Sequence, residues 1–484
     1  MLYSSVKHYI DGQWSEGEDA DVISVSPVNG QQIATSTSAS TGQVQAALKA
    51  ARAAFDGGEW SRLGAKERSV LLHRLADLIE QNRDTIIKTV AAEIGAPISS
   101  AALHVDNPAK VFHWFADAAL RGPNGSYEQP LGLHHDPMTS QSMFRHEPVG
   151  VVAAITAFNV PFMMAAWKLG GALAAGCSTL LLPSPKAILS SGLLIELVEQ
   201  AGFPAGAVNF IFGPPAVTEQ VVTAPEVDMV TFTGSAPVGS LLMKLAAPTL
   251  KKLVLELGGK SPNLILPGVD IASTVESSAL RFCRNTGQAC GATTRTIVPR
   301  AHYDEFVERT ARYLESMPIG DPLDPNTLLG PLITDEQVSR VQAFLTRAVE
   351  AGARIATGGK RPEGLEGFYL QPTLVTNLDN SFEIAQEELF APVGVVIPYD
   401  DVEEAIRIAN DCKYHLNANV WGPTPEALQV ANRLRSGTVT INGGGGFRVD
   451  ALWGGPGDSG LGREGGEEGF REFFEVKHIQ WPER

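Results

Sequence analysis

Four segments of the chain carry side chains that could do chemistry. Cys290 lies in NTGQACGATTR (285–295), flanked by Gly287, Ala289, Gly291 and Ala292. A thiol acts as a nucleophile when a helix N-terminus, a cation or a nearby base favours thiolate, and small neighbours leave a reactant room to approach. The alternative is a small buried filler, the commonest fate of a free cysteine. Glu256 interrupts the apolar run LVLELGGK (253–260). A carboxylate there either pairs, for instance with Lys260, or is desolvated with a raised pKa that suits a general base. Asn159 follows the apolar run VGVVAAITA (149–157). Strand ends of open parallel sheets are where ligands bind, and an amide there can hold an oxyanion; Asn is also a common turn residue. In FTGSAPVG (232–239) a strand passes through Thr-Gly-Ser into a helix, whose first N–H groups could take a phosphate. The Gly234 to Gly239 spacing is not GxGxxG, so this segment is a weak signal alone. A thiol, a carboxylate on an apolar strand and an amide at a strand end together suggest covalent chemistry on a carbonyl.

These residues need a scaffold, and the sequence alternates short apolar strands with helices. Strands are expected at 149–157, 178–183 (STLLLP), VNFIFG, MVTFTG and KLVLELG, with helices at AAWKLGGALAAG and 190–202. That alternation is the signature of a parallel sheet covered on both faces. It restarts near residue 271 with DIASTVESSALRFCRNTG, TRTIVP and AHYDEFVERTARYLESM, and continues through ARIATGG, VGVVIPY, VEEAIRIAND, NANVWG and GTVTIN. Two α/β units are expected, divided near Gly258 and Gly259. Residues 41–56 read as a helix with Thr41 as N-cap, and residues 66–99 hold further helix. Residues 126–148 read as a hairpin excursion, with which the C-terminal EFFEVKHIQW strand would pair. The GGGG loop (443–446) says only that something moves or approaches closely there.

With 484 residues, two or three domains are the prior. A net charge of −16 argues against nucleic acid and anionic membrane surfaces as partners. Cys177, Cys283, Cys290 and Cys412 are scattered, without disulfide framework or zinc spacing. A metal is not expected, and a reducing cytoplasm is. The N-terminus shows no signal core, and the apolar stretch 149–176 is broken by Asn159, Pro161 and Lys168, which favours a buried strand and helix over a membrane span.

Taken together, the segments closely resemble the aldehyde dehydrogenase superfamily across essentially the whole chain. The resemblance rests on Asn159, FTGS (232–235), LELGGKSPN (255–263), NTGQAC (285–290), the GDP…LGPLI stretch (320–333), EELFAPV (387–393) and SGLGREGG (459–466), in order and at family-like separations. It implies two Rossmann-like parallel-sheet domains plus a small β oligomerisation element: residues 1–125 and 149–257 bind NAD(P), 258–458 are catalytic, and 126–148 with 459–484 mediate oligomerisation. It implies Cys290 as nucleophile, Asn159 and the Cys290 N–H as oxyanion hole, Glu256 as activator of the hydrolytic water, and Lys168 with Glu464 as a proton-relay pair. Cofactor contacts are implied for Thr156, Phe158, Ser184, Lys186, Gly234, Ser235, Val238, Leu257, Glu388 and Phe390. The substrate pocket would be formed by Val160, Met164, Trp167, Ala289, Gly291, Phe447 and Trp453. A homodimer or homotetramer is implied.

The chain departs from the family pattern in several places. Leu182-Pro183-Ser184-Pro185 stands where Lys-Pro-Ser-Glu is usual, so the lysine and glutamate that hold the adenosine ribose are missing. NAD and NADP both stay open, NAD being slightly favoured, with Lys186 placed to meet a 2′-phosphate. Phe158 replaces a tryptophan, Ala391 a glycine, and Leu452-Trp453 a Pro-Phe pair. No Arg or Lys falls among the pocket positions, although Arg448 adjoins Phe447. An apolar aldehyde, aromatic, terpenoid or medium-chain, is therefore expected, oxidised to the carboxylic acid. The alternatives are a CoA-acylating semialdehyde dehydrogenase, which Glu256 disfavours, and a catalytically silent binding homologue.

Overall fold

The computed structural model describes residues 4–483. Its first large sheet runs, edge to edge, through strands Gly460–Leu461, Lys252–Glu256, Met229–Thr233, Val151–Thr156, Ser178–Pro183, Val208–Phe210, His8–Ile10 and Gln13–Ser15. The five strands from Lys252–Glu256 to Val208–Phe210 are parallel. Val151–Thr156, Ser178–Pro183 and Met229–Thr233 are buried at every position, as strands covered on both faces must be. The chain lays down Val151–Thr156, moves outward to Ser178–Pro183 and Val208–Phe210, then returns to place Met229–Thr233 on the opposite side of Val151–Thr156. The order reverses there, and loops leaving the two strands diverge to opposite faces. That opens a crevice at their C-terminal ends.

Helix Pro161–Ala175 covers this sheet and is buried at nearly every position. A helix apolar all round has no water-facing side, and helix Asn107–Arg121 closes its outer face. Helix Thr41–Asp56 forms as expected, but its N-cap is Ser40 and not Thr41. The Ser40 hydroxyl accepts from the Gln43 N–H while the Gln43 side chain accepts from the Ser40 N–H. Such a reciprocal cap satisfies two otherwise orphaned N–H groups. The helical stretch from 66 onward divides at Asn82 into Ala65–Gln81 and Arg83–Ile94.

The second sheet runs Arg354–Thr357, Thr373–Thr376, Val393–Tyr399, Arg295–Pro299, Pro262–Ile265, Asn417–Trp421 and Thr438–Ile441, parallel except at its first edge. The hairpin Glu128–His134 with Ser140–Pro148 exists, and Phe474–Pro482 pairs with it from Phe474↔Pro148 to Pro482↔Ser140. Among the described residues, no helix is long and apolar enough to cross a membrane. No group of three or more His, Cys, Asp or Glu there is arranged to hold a metal.

Candidate active site

The crevice of the first sheet opens into a cleft of about 370 Å³ that the second sheet closes. Phe158, Asn159 and Met164 reach it from the segment after Val151–Thr156, and Gly234, Ser235 and Leu257 from the neighbouring strand ends. Cys290, Glu388 and Phe390 reach it from loops of the second sheet.

The loop before Cys290 is held in an uncommon conformation. Asn285, Thr286 and Gly287 are all left-handed, with φ of 52°, 55° and 70°. For a β-branched residue that costs on the order of 1–2 kcal/mol, and the packing around it has to hold it there. Thr286 Oγ1 accepts from the Gly330 N–H at 3.1 Å. A Cβ on Gly287 would sit 2.1 Å from the backbone carbon of Ala391, so only glycine fits. Asn285 Nδ2 donates to the Asn159 carbonyl at 3.0 Å and the Gln288 carbonyl at 3.1 Å. Asn159 Nδ2 donates to the same Gln288 carbonyl at 2.9 Å. A side-chain amide has two N–H donors, so one fixes the plane of the Asn159 amide and the other is available to the cleft.

The Cys290 thiol is pushed up to about 12 by burial, with the Glu388 and Glu256 charges adding to it and the Gly291 N–H and Trp453 indole opposing. At neutral pH it is a thiol, and its proton must leave as it attacks. Glu256 ends strand Lys252–Glu256, 2 % exposed, with neither carboxylate oxygen hydrogen-bonded. Burial, helped by the charge of Glu464, raises its pKa well above the usual carboxylate range, against Lys168 and Arg463. It forms no ion pair with Lys260. That lysine is itself buried, and burial with the nearby Arg295 pushes it down to about 7. Behind Glu256 lies a buried ion pair, Lys168 with Glu464. Thr231 Oγ1 accepts from Lys168 Nζ at 3.2 Å and donates to Glu464 Oε1 at 3.0 Å.

The cofactor side can be tested against the residues present. Ser235 is the N-cap of helix Ala236–Ala246 but makes no side-chain cap bond, which leaves the Ala236 and Val238 N–H groups to a phosphate at the cleft edge, Pro237 having none. Glu388 Oε1 accepts from the Gly259 N–H at 3.0 Å, and burial pushes its carboxyl up to about 7. Its remaining oxygen suits a ribose hydroxyl. Phe390, left-handed at φ 56°, meets Phe158 edge-on at 5.9 Å. A dinucleotide fits this set.

The other expected residues are not among those that line this cleft. Thr156 accepts from the Ser184 N–H at 2.9 Å, so the two share one strand end. Lys186 Nζ stands 5.7 Å from the centre of the Phe158 ring. Val238 is exposed on helix Ala236–Ala246. Trp167 and Trp453 stack nearly parallel, 6.4 Å apart at 13°. Trp453 also sits against Gly291, where a Cβ would meet its ring at 2.6 Å. Val160 packs against the core, Ala289 is half-buried next to Cys290, and Phe447 is on the surface after the glycine loop.

Sequence reading missed several parts. Arg340 lines the cleft and donates to the Glu388 and Leu389 carbonyls at 2.9 and 3.1 Å. Asn285 and Thr231 were missed because their roles arise from segments far apart in sequence. For Asn285 a signal existed, since Asn tolerates the left-handed region that a turn before Cys290 requires.

A parallel sheet with a crevice at its strand ends, facing a thiol and a side-chain amide, is the arrangement of an NAD(P)-dependent oxidoreductase. The model of the aldehyde dehydrogenase family matches residues 14–479, and the chain belongs to that family. It is similar to betaine aldehyde dehydrogenase of Bacillus subtilis, 35% identical over 97% of this chain and 96% of that protein. A solved mutant of aldehyde dehydrogenase C from Pseudomonas syringae, complexed with NAD+ and octanal, superposes with TM-score 0.93 at 37% identity, covering 98% of this chain and 96% of that one. A Mycobacterium tuberculosis aldehyde dehydrogenase complexed with NAD+ gives TM-score 0.94 at 36% identity, with 99% of both chains covered.

Proposed function

We propose that the chain oxidises apolar aldehydes to carboxylic acids through a covalent Cys290 intermediate. The observation that carries this is the convergence in one cleft of Cys290, Asn159 and the cofactor-facing Glu388, with Met164, Leu257, Phe158 and Phe390 as apolar lining. The Cys290 sulfur adds to the aldehyde carbon as its proton passes to Glu256, and gives a thiohemiacetal. Asn159 Nδ2 and the Cys290 N–H receive the developing oxyanion. The thiohemiacetal carbon would give its hydride to a bound nicotinamide and become the Cys290 thioester. Ser235 and the helix start behind it would hold the pyrophosphate, and Glu388 the nicotinamide ribose. Glu256 then takes a proton from water as that water attacks the Cys290 thioester. An activated acyl group splits one hard oxidation into two easier steps. The Lys168–Glu464 pair passes the proton on from Glu256 and sets its affinity for it.

The substrate class rests on the pocket chemistry. Arg448, next to Phe447, is paired with the Asp450 carboxylate at 2.7 Å, and Arg340 in the cleft lining is held by the Glu388 and Leu389 carbonyls, so neither is a free receptor for a carboxylate. A second reading has one observation behind it. The parallel Trp167 and Trp453 rings offer faces to a quaternary ammonium group, and one relative is a betaine aldehyde dehydrogenase. Assays of NAD+ and NADP+ reduction with hexanal, benzaldehyde, cinnamaldehyde, citral, succinic semialdehyde and betaine aldehyde separate the readings. Turnover of the neutral apolar aldehydes with at least tenfold higher kcat/KM supports the first, and preference for betaine aldehyde supports the second. Preference for succinic semialdehyde contradicts both.

The same proposal assigns 1–125 with 149–257 to cofactor binding and 258–458 to catalysis. The three-stranded sheet exposes Leu133, Phe144, Val476 and Trp481, which suits burial in a homodimer or homotetramer. Light scattering on the purified chain tests this. Four free cysteines suit the reducing cytoplasm.

A further inference from the structure

We propose that the indole N–H of Trp453 donates a hydrogen bond to the Cys290 sulfur and stabilises its thiolate, a role that rests on Cys290 being the nucleophile. Three contacts fix the indole. The Trp453 backbone exchanges two hydrogen bonds with Glu464, its N–H donating at 2.6 Å and its carbonyl accepting at 2.9 Å. The ring stacks on Trp167, 6.4 Å apart at 13°. Its edge lies against the backbone of Gly291, the residue after Cys290. A Cβ on Gly291 would sit 2.6 Å from the Trp453 Cη2 and 2.9 Å from its Cζ2. The ring perimeter runs Nε1, Cε2, Cζ2, Cη2, so the edge turned to the nucleophile loop is the one that carries the N–H. The Gly291 carbonyl accepts from Asn417 Nδ2 at 2.9 Å, which holds the loop against that edge. Glycine at this position is what lets the indole approach.

The electrostatics of the loop give the N–H its meaning. Cysteine thiolates are favoured by a helix N-terminus, a cation or a metal. The charged groups that act on Cys290 are both anions. Burial raises its pKa, and the charges of Glu388, from a loop of the second sheet, and Glu256, at the end of strand Lys252–Glu256, add to the rise. Lys168 and Arg463 act on Glu256 behind it. What offsets these effects is a pair of N–H donors, the Gly291 backbone and the Trp453 indole. A donor to an ionised acceptor makes a bond roughly twice as strong as a neutral one, so the indole favours the form of Cys290 that attacks. Such bonds tighten as charge develops on the acceptor. Leu452-Trp453 stands where Pro-Phe is usual, and a phenylalanine there offers a ring without an N–H. The tryptophan is thus a catalytic residue particular to this chain, acting through its edge.

The test reads the thiol itself and needs no turnover. Alkylation by iodoacetamide is followed against pH in the native chain and in Trp453→Phe, with the modified residue located by mass spectrometry. Phenylalanine is smaller than tryptophan, so easier access alone would speed the reaction, whereas loss of the donor slows it. A rate at Cys290 about five- to tenfold lower at neutral pH is expected, since raising a thiol pKa by about one unit cuts its thiolate fraction roughly tenfold. A rate equal to the native one, or faster, overturns the inference. Should Trp453→Phe not fold, Trp453 is replaced by benzothienylalanine, which keeps the size of both rings and puts sulfur in place of the N–H. The same slowing then supports the inference, and a native rate overturns it. Failure of the catalytic reading looks different. If Cys290 of the native chain resists alkylation, or if its alkylation leaves aldehyde oxidation intact, Cys290 is not the nucleophile and both readings fall.

Discussion

Asn285 Nδ2 lies 3.0 Å from the backbone oxygen of Asn159, so a residue five positions before Cys290 ties the loop of the proposed nucleophile to the strand end that carries the proposed oxyanion donor. The same Nδ2 reaches the Gln288 carbonyl at 3.1 Å. One amide therefore sets the distance between the two halves of the reaction centre. In Asn285→Ala the buried Asn159 carbonyl loses this donor, and the Gln288 carbonyl keeps only the Asn159 amide. A loss of about 1–3 kcal/mol in stability is expected. A kcat decrease of roughly 10- to 100-fold is also expected, because small misplacements of reacting groups are expensive. Cofactor affinity should be unchanged. Denaturant melts and steady-state kinetics check this, and a variant with wild-type kcat contradicts it.

Lys186 stands over the Phe158 ring at the strand end where the usual ribose-binding Lys and Glu are replaced by Leu182 and Pro185. Burial lowers its pKa, with Glu336 opposing. A 2′-phosphate gives this ammonium a partner that NAD+ lacks. In Lys186→Ala the KM for NADP+ should rise at least fivefold while that for NAD+ changes less than twofold. Equal changes would mean that Lys186 does not read the 2′ position.

Glu388 carries a pH prediction. Burial raises its carboxyl to about 7, opposed by the Gly259 N–H, Lys260 and Arg340. Below that pH it is protonated and is a poorer acceptor for a ribose hydroxyl. As pH rises through about 7 it ionises, so KM for the cofactor should fall across that range. Glu388→Gln cannot ionise and should show a flat profile at a raised KM. A wild-type profile in this variant would remove Glu388 from the cofactor site.

Glu464 and Lys168 form a buried ion pair. Removing one member leaves an unpaired buried charge, so Lys168→Met should cost about 3–5 kcal/mol of stability. Glu464→Gln has a catalytic consequence with a definite sign. The Glu464 charge helps raise the Glu256 pKa, and Lys168 opposes it. Deleting the negative charge favours ionised Glu256, so the alkaline rise of thioester hydrolysis should move to lower pH. A shift to higher pH contradicts this electrostatic account.

The sheet strands and the chemical residues were legible because each has a local sign. Val151–Thr156 is an unbroken apolar run, Cys290 stands among small residues, and Glu256 is a charge on an apolar strand. The pairing of Phe474–Pro482 with the 128–148 hairpin was also foreseen, from two segments left over by the α/β pattern. What escaped was relational. Ser40 caps its helix because the Gln43 side chain returns the bond, which outweighs the neighbouring Thr41. Arg340 reaches Glu388 from a helix 48 residues away, and its own surroundings read as an ordinary solvated face. Glu256 is unpaired although Lys260 is four residues on, because the glycines between them turn the chain into the other sheet.

The most direct test of the mechanism uses Glu256→Gln, mixed with NAD+ and hexanal and quenched within a few turnover times of the native protein. The account predicts one reduced nicotinamide per chain followed by arrest, with one hexanoyl group recovered by mass spectrometry on the peptide that contains Cys290. Continued turnover at the native rate, or an acyl group on any other residue, would contradict the assignment of Glu256 to hydrolysis and of Cys290 to the covalent step.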